Sequence, residues 1–311
     1  MSRLHICNTF FERELEKGAG RSLADWMRSH PIVLQLQFLP LLYAEPEDRI
    51  LVSDLPEDPD PRLCLIEGPV PFGKIEHWGP SLAIAAWAKT HAIPYPIPNW
   101  EIVKKVNSKV FSFVESPKLP GAQLLESEQE VRGWIQKTPG RKVLKTPFGT
   151  AGGGHIHVEK EMPKNLKFPL IGESWVERIF DFSTQWKGEE LLGVTLFENE
   201  PDGTYRGTFE GNVESQALEE HLEVVRPLLK KIKELGFVGH LGIDAYVYLW
   251  QGKKRLQPVV EINGRKTMSW AALQMPKKRL FYTRSANGLL PSCLTVRGKT
   301  VHFSRNVICT E

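Results

Sequence analysis

The sequence predicts a mixed α/β protein, with an N-terminal α/β domain followed by modules of α+β character. Three observations carry this expectation. Short β-branched runs alternate with helix-like pieces through residues 1–100. A glycine-rich loop sits between two strand-like segments near residue 150. Two late strand-like stretches, around Asp244 and Glu261, carry acidic residues in alternation with apolar ones.

In order, Leu4 to Cys7, Ile32 to Leu39, Ile50 to Ser53 and Leu63 to Ile66 read as strands of a mostly parallel sheet. Residues 56–61 alternate proline and acid and read as a loop, and Ser81 to Thr90 reads as an Ala-rich helix. The prolines at 94, 96 and 98 punctuate the chain, since each disfavours helix at the residue before it. One helix is expected from Asn99 to about Ser116, with Ile102, Val103, Val106, Val110, Phe113 and Val114 at helical spacing. A short helix over 131–135, a strand over 142–145, a strand over 155–158 and a strand over 174–180 follow. Leu218 to Leu235 reads as a long helix closed by Gly236, with a kink or late start at Pro227.

Composition narrows the function classes. The 311 residues are enough to bury a sizeable core in one large or two to three small domains. A net charge of +3 without a long basic run argues against a dedicated nucleic-acid binder. The apolar run from Ile32 to Ala44 is broken by Gln35, Gln37 and Pro40 and is too short to span a bilayer. Acidic residues near Glu12 argue against a secretory leader, and four scattered cysteines without a CxxC pair fit a reducing compartment. A cytoplasmic protein with no nucleic-acid or membrane partner is expected, with a homodimer left open.

The stretch Pro258-Val259-Val260-Glu261-Ile262-Asn263-Gly264-Arg265 concentrates the chemistry. On a strand, Glu261, Asn263 and Arg265 share one face. A carboxylate, an amide oxygen and a guanidinium in a row suit a Mg2+–phosphate complex. Asp244, within Gly242-Ile243-Asp244, adds a second carboxylate if the two strands pair. The bland alternative is an amphipathic strand with a solvated polar face. Upstream, Lys145 ends a strand and is followed by Gly149, Gly152, Gly153 and Gly154. A lysine can hold phosphate as a point charge, and a glycine loop lets backbone N–H groups approach phosphate oxygens. The loop matches neither the Walker pattern nor GxGxxG opening a helix. Its structural alternative is a flexible hairpin. His155 and His157 share a strand face, but without a third soft ligand they read as plain strand residues. Glu173, Trp175, Val176, Glu177 and Asp181 offer backbone groups to an adenine ring and carboxylates to ribose hydroxyls, against a surface-charge alternative. Asn8 and Glu12 lie early enough in the chain to face a cleft, but read first as surface residues.

These residues run in an order that resembles the ATP-grasp superfamily. The resemblance covers about residues 100 to 275. It implies three modules: an N-terminal domain over 1–105, a central lid module over 106–175 and a C-terminal module over 176–311, with ATP held between two of them. It implies that Lys109 contacts the nucleotide, and that Lys145 with the Gly149–Gly154 loop covers the phosphates. Trp175, Val176 and Glu177 with Asp181 look like the segment that reads adenine and ribose, although the spacing leaves Glu177 against Asp181 open. Asp244, Glu261 and Asn263 look like ligands for Mg2+, with Mn2+ as a substitute, and Arg265 like the catalytic arginine near the transferred phosphoryl group. The resemblance implies an ATP-dependent ligase that joins a small-molecule carboxylate to an amine. A small-molecule kinase on the same scaffold and a non-catalytic ATP-binding module are its rivals.

Overall fold

The structure is a computed structural model that describes residues 2–18, 20–70, 73–149, 154–158, 162–201, 203–275, 277–284 and 288–309. The chain divides into two compact units, Met1–Trp100 with Arg265–Glu311, and Glu101–Gly264. The C-terminal residues from Arg265 onward thus group with the N-terminal ones.

In the first unit, β1 (Arg3–Ile6), β2 (Arg49–Val52), β3 (Leu63–Leu65) and β4 (Lys74–His77) form a parallel sheet in the order β3-β2-β1-β4 among the described residues. The helices are α1 (Phe11–Lys17), α2 (Leu23–Met27), α3 (Pro31–Leu36) and α4 (Leu82–Thr90). Leu4, Ile6 and Leu51 of the sheet pack against Trp26, Met27, Ile84 and Trp87 of α2 and α4. Ser81 caps α4 by accepting from the Ile84 amide, as its sequence position suggests.

The strand expected over 32–39 is instead α3, followed by a 3-10 turn at Leu39–Leu42. The reason is local. The His30 side chain accepts from the Ile32 amide, and Pro31 occupies the first helical turn. Val33, Leu34 and Leu36 are all buried, so the run shows no polar face that would separate a buried helix from a buried strand. Gln35 and Gln37 are buried with partners: Gln35 donates to the Arg305 carbonyl at 2.8 Å, and Gln37 accepts from the Ser53 amide at 2.7 Å.

The single helix expected after Asn99 is two helices, α5 (Trp100–Val106) and α6 (Lys109–Glu115). Ser108 caps α6, and Asn107 turns its side chain away to a distant backbone group described below. The second unit continues with β5 (Gln123–Leu125), α7 (Glu128–Lys137), β6 (Lys142–Lys145), β7 (His155–Val158) and β8 (Leu170–Ser174). These strands form an antiparallel sheet in the order β5-β8-β6-β7. Val131 and Trp134 of α7 pack on its Leu125, Leu144, Val158 and Leu170.

The remaining elements of this unit are β9 (Glu177–Lys187), β10 (Glu190–Asn199), β11 (Tyr205–Glu210), α8 (Ser215–Glu234), β12 (His240–Trp250) and β13 (Lys253–Asn263). The strands pair antiparallel in the order β13-β12-β9-β10-β11. The strand expected over 174–180 is therefore split between the ends of two strands in different sheets, with Trp175 and Val176 between them. Helix α8 starts before Pro227 and runs through it, burying Ala217, His221, Val225, Leu228, Leu229 and Ile232. Gly236 follows α8 with φ +90°, the left-handed conformation that glycine adopts without strain. The first unit closes with α9 (Met268–Gln274), β14 (Arg279–Thr283), β15 (Cys293–Val296), β16 (Lys299–His302) and β17 (Asn306–Ile308), in which β14 pairs with β17 and β15 with β16. Among the described residues no helix is long and apolar enough to cross a membrane, and the four cysteines are free thiols.

Candidate active site

The site is built from the β12–β13 hairpin. Its turn residues, Gln251 and Gly252, have φ of 50° and 73°, the two positive values of a tight two-residue hairpin turn. That turn pairs Trp250 with Lys253 and Tyr246 with Gln257. Continuing this register would set Val259 opposite Asp244. A shift across residues 258–260 sets Glu261 there instead, and Gly242 opposite Asn263. Pro258 has no N–H to give the ladder, so a bulge is where a strand accommodates it. The Pro258 carbonyl is held by buried His221 of α8, whose Nδ1 lies 2.7 Å away and whose Nε2 lies 2.8 Å from Thr184 Oγ1. Burial pushes this imidazole down to about 4, so it is neutral and donates from Nδ1.

Asp244, Glu261 and Asn263 therefore come together on one face, as expected. Asn263 Nδ2 donates to Asp244 Oδ2 at 3.1 Å, and Ser183 of β9 donates to Asp244 Oδ1 at 2.7 Å. Ser183 was not singled out from the sequence. Its signal was the polar alternation Asp181, Ser183, Gln185 along β9, whose register sets Ser183 opposite Asp244.

Lys109 joins this face from α6. Its Nζ lies 2.6 Å from Glu261 Oε1 and donates to the Gly149 carbonyl at 2.9 Å. The break between α5 and α6 is what aims it. Asn107 accepts from the Gly264 amide at 2.7 Å and donates to the Val103 carbonyl at 2.8 Å. A Cβ on Gly264 would lie 2.6 Å from the Asn107 amide nitrogen, so the glycine after Asn263 is required by this close approach. Ser112 accepts from the Ile262 amide at 3.1 Å, tying α6 to β13 a second time.

Lys145, at the end of β6, is buried and pairs with Glu173 of β8 at 2.6 Å. The neck of the glycine loop is closed by the Thr146 amide donating to the Gly154 carbonyl at 3.1 Å. Gly154 has φ +88°, and a Cβ there would collide with Thr146 Oγ1. Gly149 also has a positive φ. Gly152 and Gly153 lie outside the described residues. A cleft opens between Lys109 and Phe113 of α6, Lys145 of β6, Ile171 and Glu173 of β8, and Val260 of β13. Apolar walls with the three ammonium groups of Lys109, Lys118 and Lys145 suit a flat ring bearing an anionic chain.

Of the segment expected to read adenine and ribose, Trp175 spends its amide on the Arg141 carbonyl at 2.9 Å. Val176 packs with Leu119, Tyr246, Tyr248 and Val260. Glu177 is exposed and lies beyond a register shift in β9. Asp181 pairs in register with Tyr246 and so shares the face of Ser183 and Asp244. Arg178 donates to Asp181 at 2.7 Å and lies 4.3 Å over the Tyr246 ring. Burial pushes the Asp181 carboxyl up, against the pull of Arg178. His155 and His157 both set their rings edge-on to Trp175. His155 is Lys145's cross-strand partner, and burial, then the nearby Lys145 and Lys109 charges, pushes its imidazole down to about 4.

Arg265 belongs to the first unit, where it pairs with Glu12 of α1. The expectation of surface placement for Asn8 and Glu12 does not hold. Asn8 is fully buried, accepting from the Trp78 and Gly79 amides at 3.0 and 3.1 Å and donating to the Gly79 carbonyl at 2.9 Å. This side chain staples the ends of β1 and β4, and its place after a strand gave no sign of that.

Among the described residues no three or more His, Cys, Asp or Glu side chains gather as a metal site. The set on the hairpin face is two carboxylates and an amide. Those hard oxygens fit Mg2+, which takes few protein ligands and keeps several waters.

No protein-family model matches the sequence, and no curated protein matches it. Solved structures do. The chain is similar to phosphoribosylamine–glycine ligase of Thermotoga maritima, at 12% identity and a TM-score of 0.53, over 98% of this chain and 91% of that one. It is similar to an Archaeoglobus fulgidus protein described as of the ATP-grasp superfamily, at 11% identity and a TM-score of 0.52, over 100% of both chains. It is also similar to the ADP complex of N5-carboxyaminoimidazole ribonucleotide synthetase, at 12% identity and a TM-score of 0.50, over 91% and 81%. At this identity the likeness establishes the fold.

Proposed function

This chain has the ATP-grasp fold, and on that premise we propose that it is an ATP-dependent ligase joining a carboxylate to an amine. The observation that carries the reading is the position of Lys109. One ammonium group touches both Glu261, on the carboxylate face, and Gly149, at the start of the glycine loop. A nucleotide triphosphate in that place meets cations on one side and metal ligands on the other.

In this reading the adenine ring enters the cleft beside Val176 and Val260, and ribose hydroxyls meet Asp181 in preference to Glu177. Lys145 and Lys109 hold phosphate oxygens, exchanging their present carboxylate partners for the ligand. Asp244, Glu261 and Asn263 would hold Mg2+, which would supply neutralisation of charge on the transferring phosphoryl group. A substrate carboxylate oxygen attacks the γ-phosphorus, and the bond to the bridging oxygen breaks with release of ADP. The amine nitrogen then attacks the acyl carbon and loses a proton, and phosphate leaves with the C–O bonding pair. We assign Arg265 the charge that develops at the phosphoryl and tetrahedral stages. No side-chain nucleophile is needed, because ATP activates the substrate.

The reading is supported by the site's chemistry and by the ligase activity named for phosphoribosylamine–glycine ligase, which has the same fold. The test is to screen pairs of small carboxylates and amines for ADP release, with hydroxylamine present in parallel. Capture of an acyl hydroxamate supports the ligase. A stable phosphorylated product would assign the chain to kinase chemistry, and tight ATP binding with no turnover on any pair would make it a binding module.

A further inference from the structure

His155 has no role in the mechanism above, yet its surroundings are those of a ligand contact. It opens β7 directly after the glycine loop, opposite Lys145. Its ring is edge-on to Trp175, with centroids 6.4 Å apart, and a Cβ on Gly203 would lie 3.6 Å from Nδ1 and 3.3 Å from the Trp175 ring. Nδ1 is buried and has no hydrogen-bond partner among the described residues. A buried polar atom without a partner is destabilising, so native proteins rarely keep one without a use for it. The charged groups that face this imidazole are Lys145 of β6, Lys109 of α6 and Arg178 of β9, with Glu261 of β13 as the opposing carboxylate. Each of these cations already holds a carboxylate: Lys145 holds Glu173 of β8, Arg178 holds Asp181 of β9 and Lys109 holds Glu261, and a bound anion competes for them.

We propose that His155 is a phosphate-contacting residue, its Nδ1 donating to a phosphate oxygen of bound ATP. The inference rests on the ATP-binding reading and adds a residue to it. Trp175 and Gly203 flank the ring, and Lys145 is its cross-strand neighbour on β6. Without ligand the imidazole is neutral, because burial and the adjacent ammonium groups oppose a further positive charge. A bound triphosphate reverses the sign of that field. The imidazole then takes up a proton and becomes a charge-assisted donor. His155 thus acts as a cation that exists only while the nucleotide is bound, which lets the empty site remain close to neutral.

The test is calorimetric titration of the full chain with MgATP at pH 6.5 and 8.5, each in two buffers of different ionisation enthalpy. Three variants are compared with the natural chain: His155→Gln, His155→Lys and, as a neighbouring control, the exposed His157→Gln. The expected result is that His155→Gln weakens binding about tenfold at pH 6.5 and clearly less at pH 8.5. The natural chain takes up a proton on binding, and His155→Gln does not. His155→Lys, a fixed cation, keeps tight binding at both pH values, and His157→Gln changes nothing. Equal affinity and equal proton uptake in the natural chain and His155→Gln would overturn the inference while leaving ATP binding intact. Failure of the natural chain to bind MgATP would overturn the reading it rests on, and the inference with it.

Discussion

The two units both bury polar side chains, and they satisfy them differently. In the first unit, Asn8 makes three backbone hydrogen bonds across two strand ends. Asp48 accepts from the Arg3 amide and side chain and from His5, which drives its carboxyl far below the ordinary range despite burial. These groups are saturated by the fold itself. In the second unit, Lys109 and Lys145 each hold one carboxylate, Glu261 and Glu173, at the wall of a cleft. Single ion pairs of this kind are exchangeable: a phosphate can replace one partner and a metal the other. Burial alone does not separate a structural polar residue from a functional one. What separates them here is the number of partners: Asn8 and Asp48 are each held several times over, whereas Lys109 and Lys145 each hold one carboxylate that a ligand can replace.

The comparison breaks most sharply at Asp244. With a competent substrate pair, Asp244→Asn lowers the rate of ADP release roughly 10²–10³-fold, while the urea midpoint moves little. Asn8→Ala does the converse. It leaves strand-end groups without partners and costs about 2–3 kcal/mol in denaturant unfolding, with nucleotide affinity unchanged. A functional loss in Asn8→Ala without a stability loss would erase the distinction.

Acid sharpens it next. Folded His221 titrates near 4, against 6.5 for the ordinary group, so the unfolded chain binds the extra proton between those values. Stability from this group is fully present above about pH 6.5 and is lost as pH falls toward about 4, by on the order of 3 kcal/mol. His221→Asn flattens that part of the pH–stability curve. Lys145→Met weakens ATP binding about tenfold or more with little change in unfolding. Glu261→Gln gives the smallest effect and the most diagnostic sign. It frees Lys109 from its carboxylate, so ATP without metal binds about threefold to tenfold more tightly, as read by titration in EDTA.

Much of the second unit was legible in the sequence because its signals are local. The alternation around Glu261 and Asn263 gave the strand. The bulge that brings Glu261 rather than Val259 opposite Asp244 was not legible, since it depends on His221 meeting Pro258 from a different element. The Lys109–Glu261 contact spans residues far apart in sequence, and it needs the break at Asn107, whose partner Gly264 is equally remote. The mistaken strand over 32–39 arose because a run buried on all sides carries no period. Asn8 was misplaced for the opposite reason: its polarity suggests solvent, and only the neighbouring strand end shows what it binds.

The central claim is that the Asp244–Glu261–Asn263 face binds metal together with ATP. Its most direct test is calorimetric titration of ATP into the natural chain and Asp244→Asn, each with Mg2+ and with EDTA. Mg2+ is expected to tighten ATP binding to the natural chain and to lose most of that effect in Asp244→Asn. An undiminished Mg2+ effect in the variant, or no ATP binding by the natural chain, would contradict it.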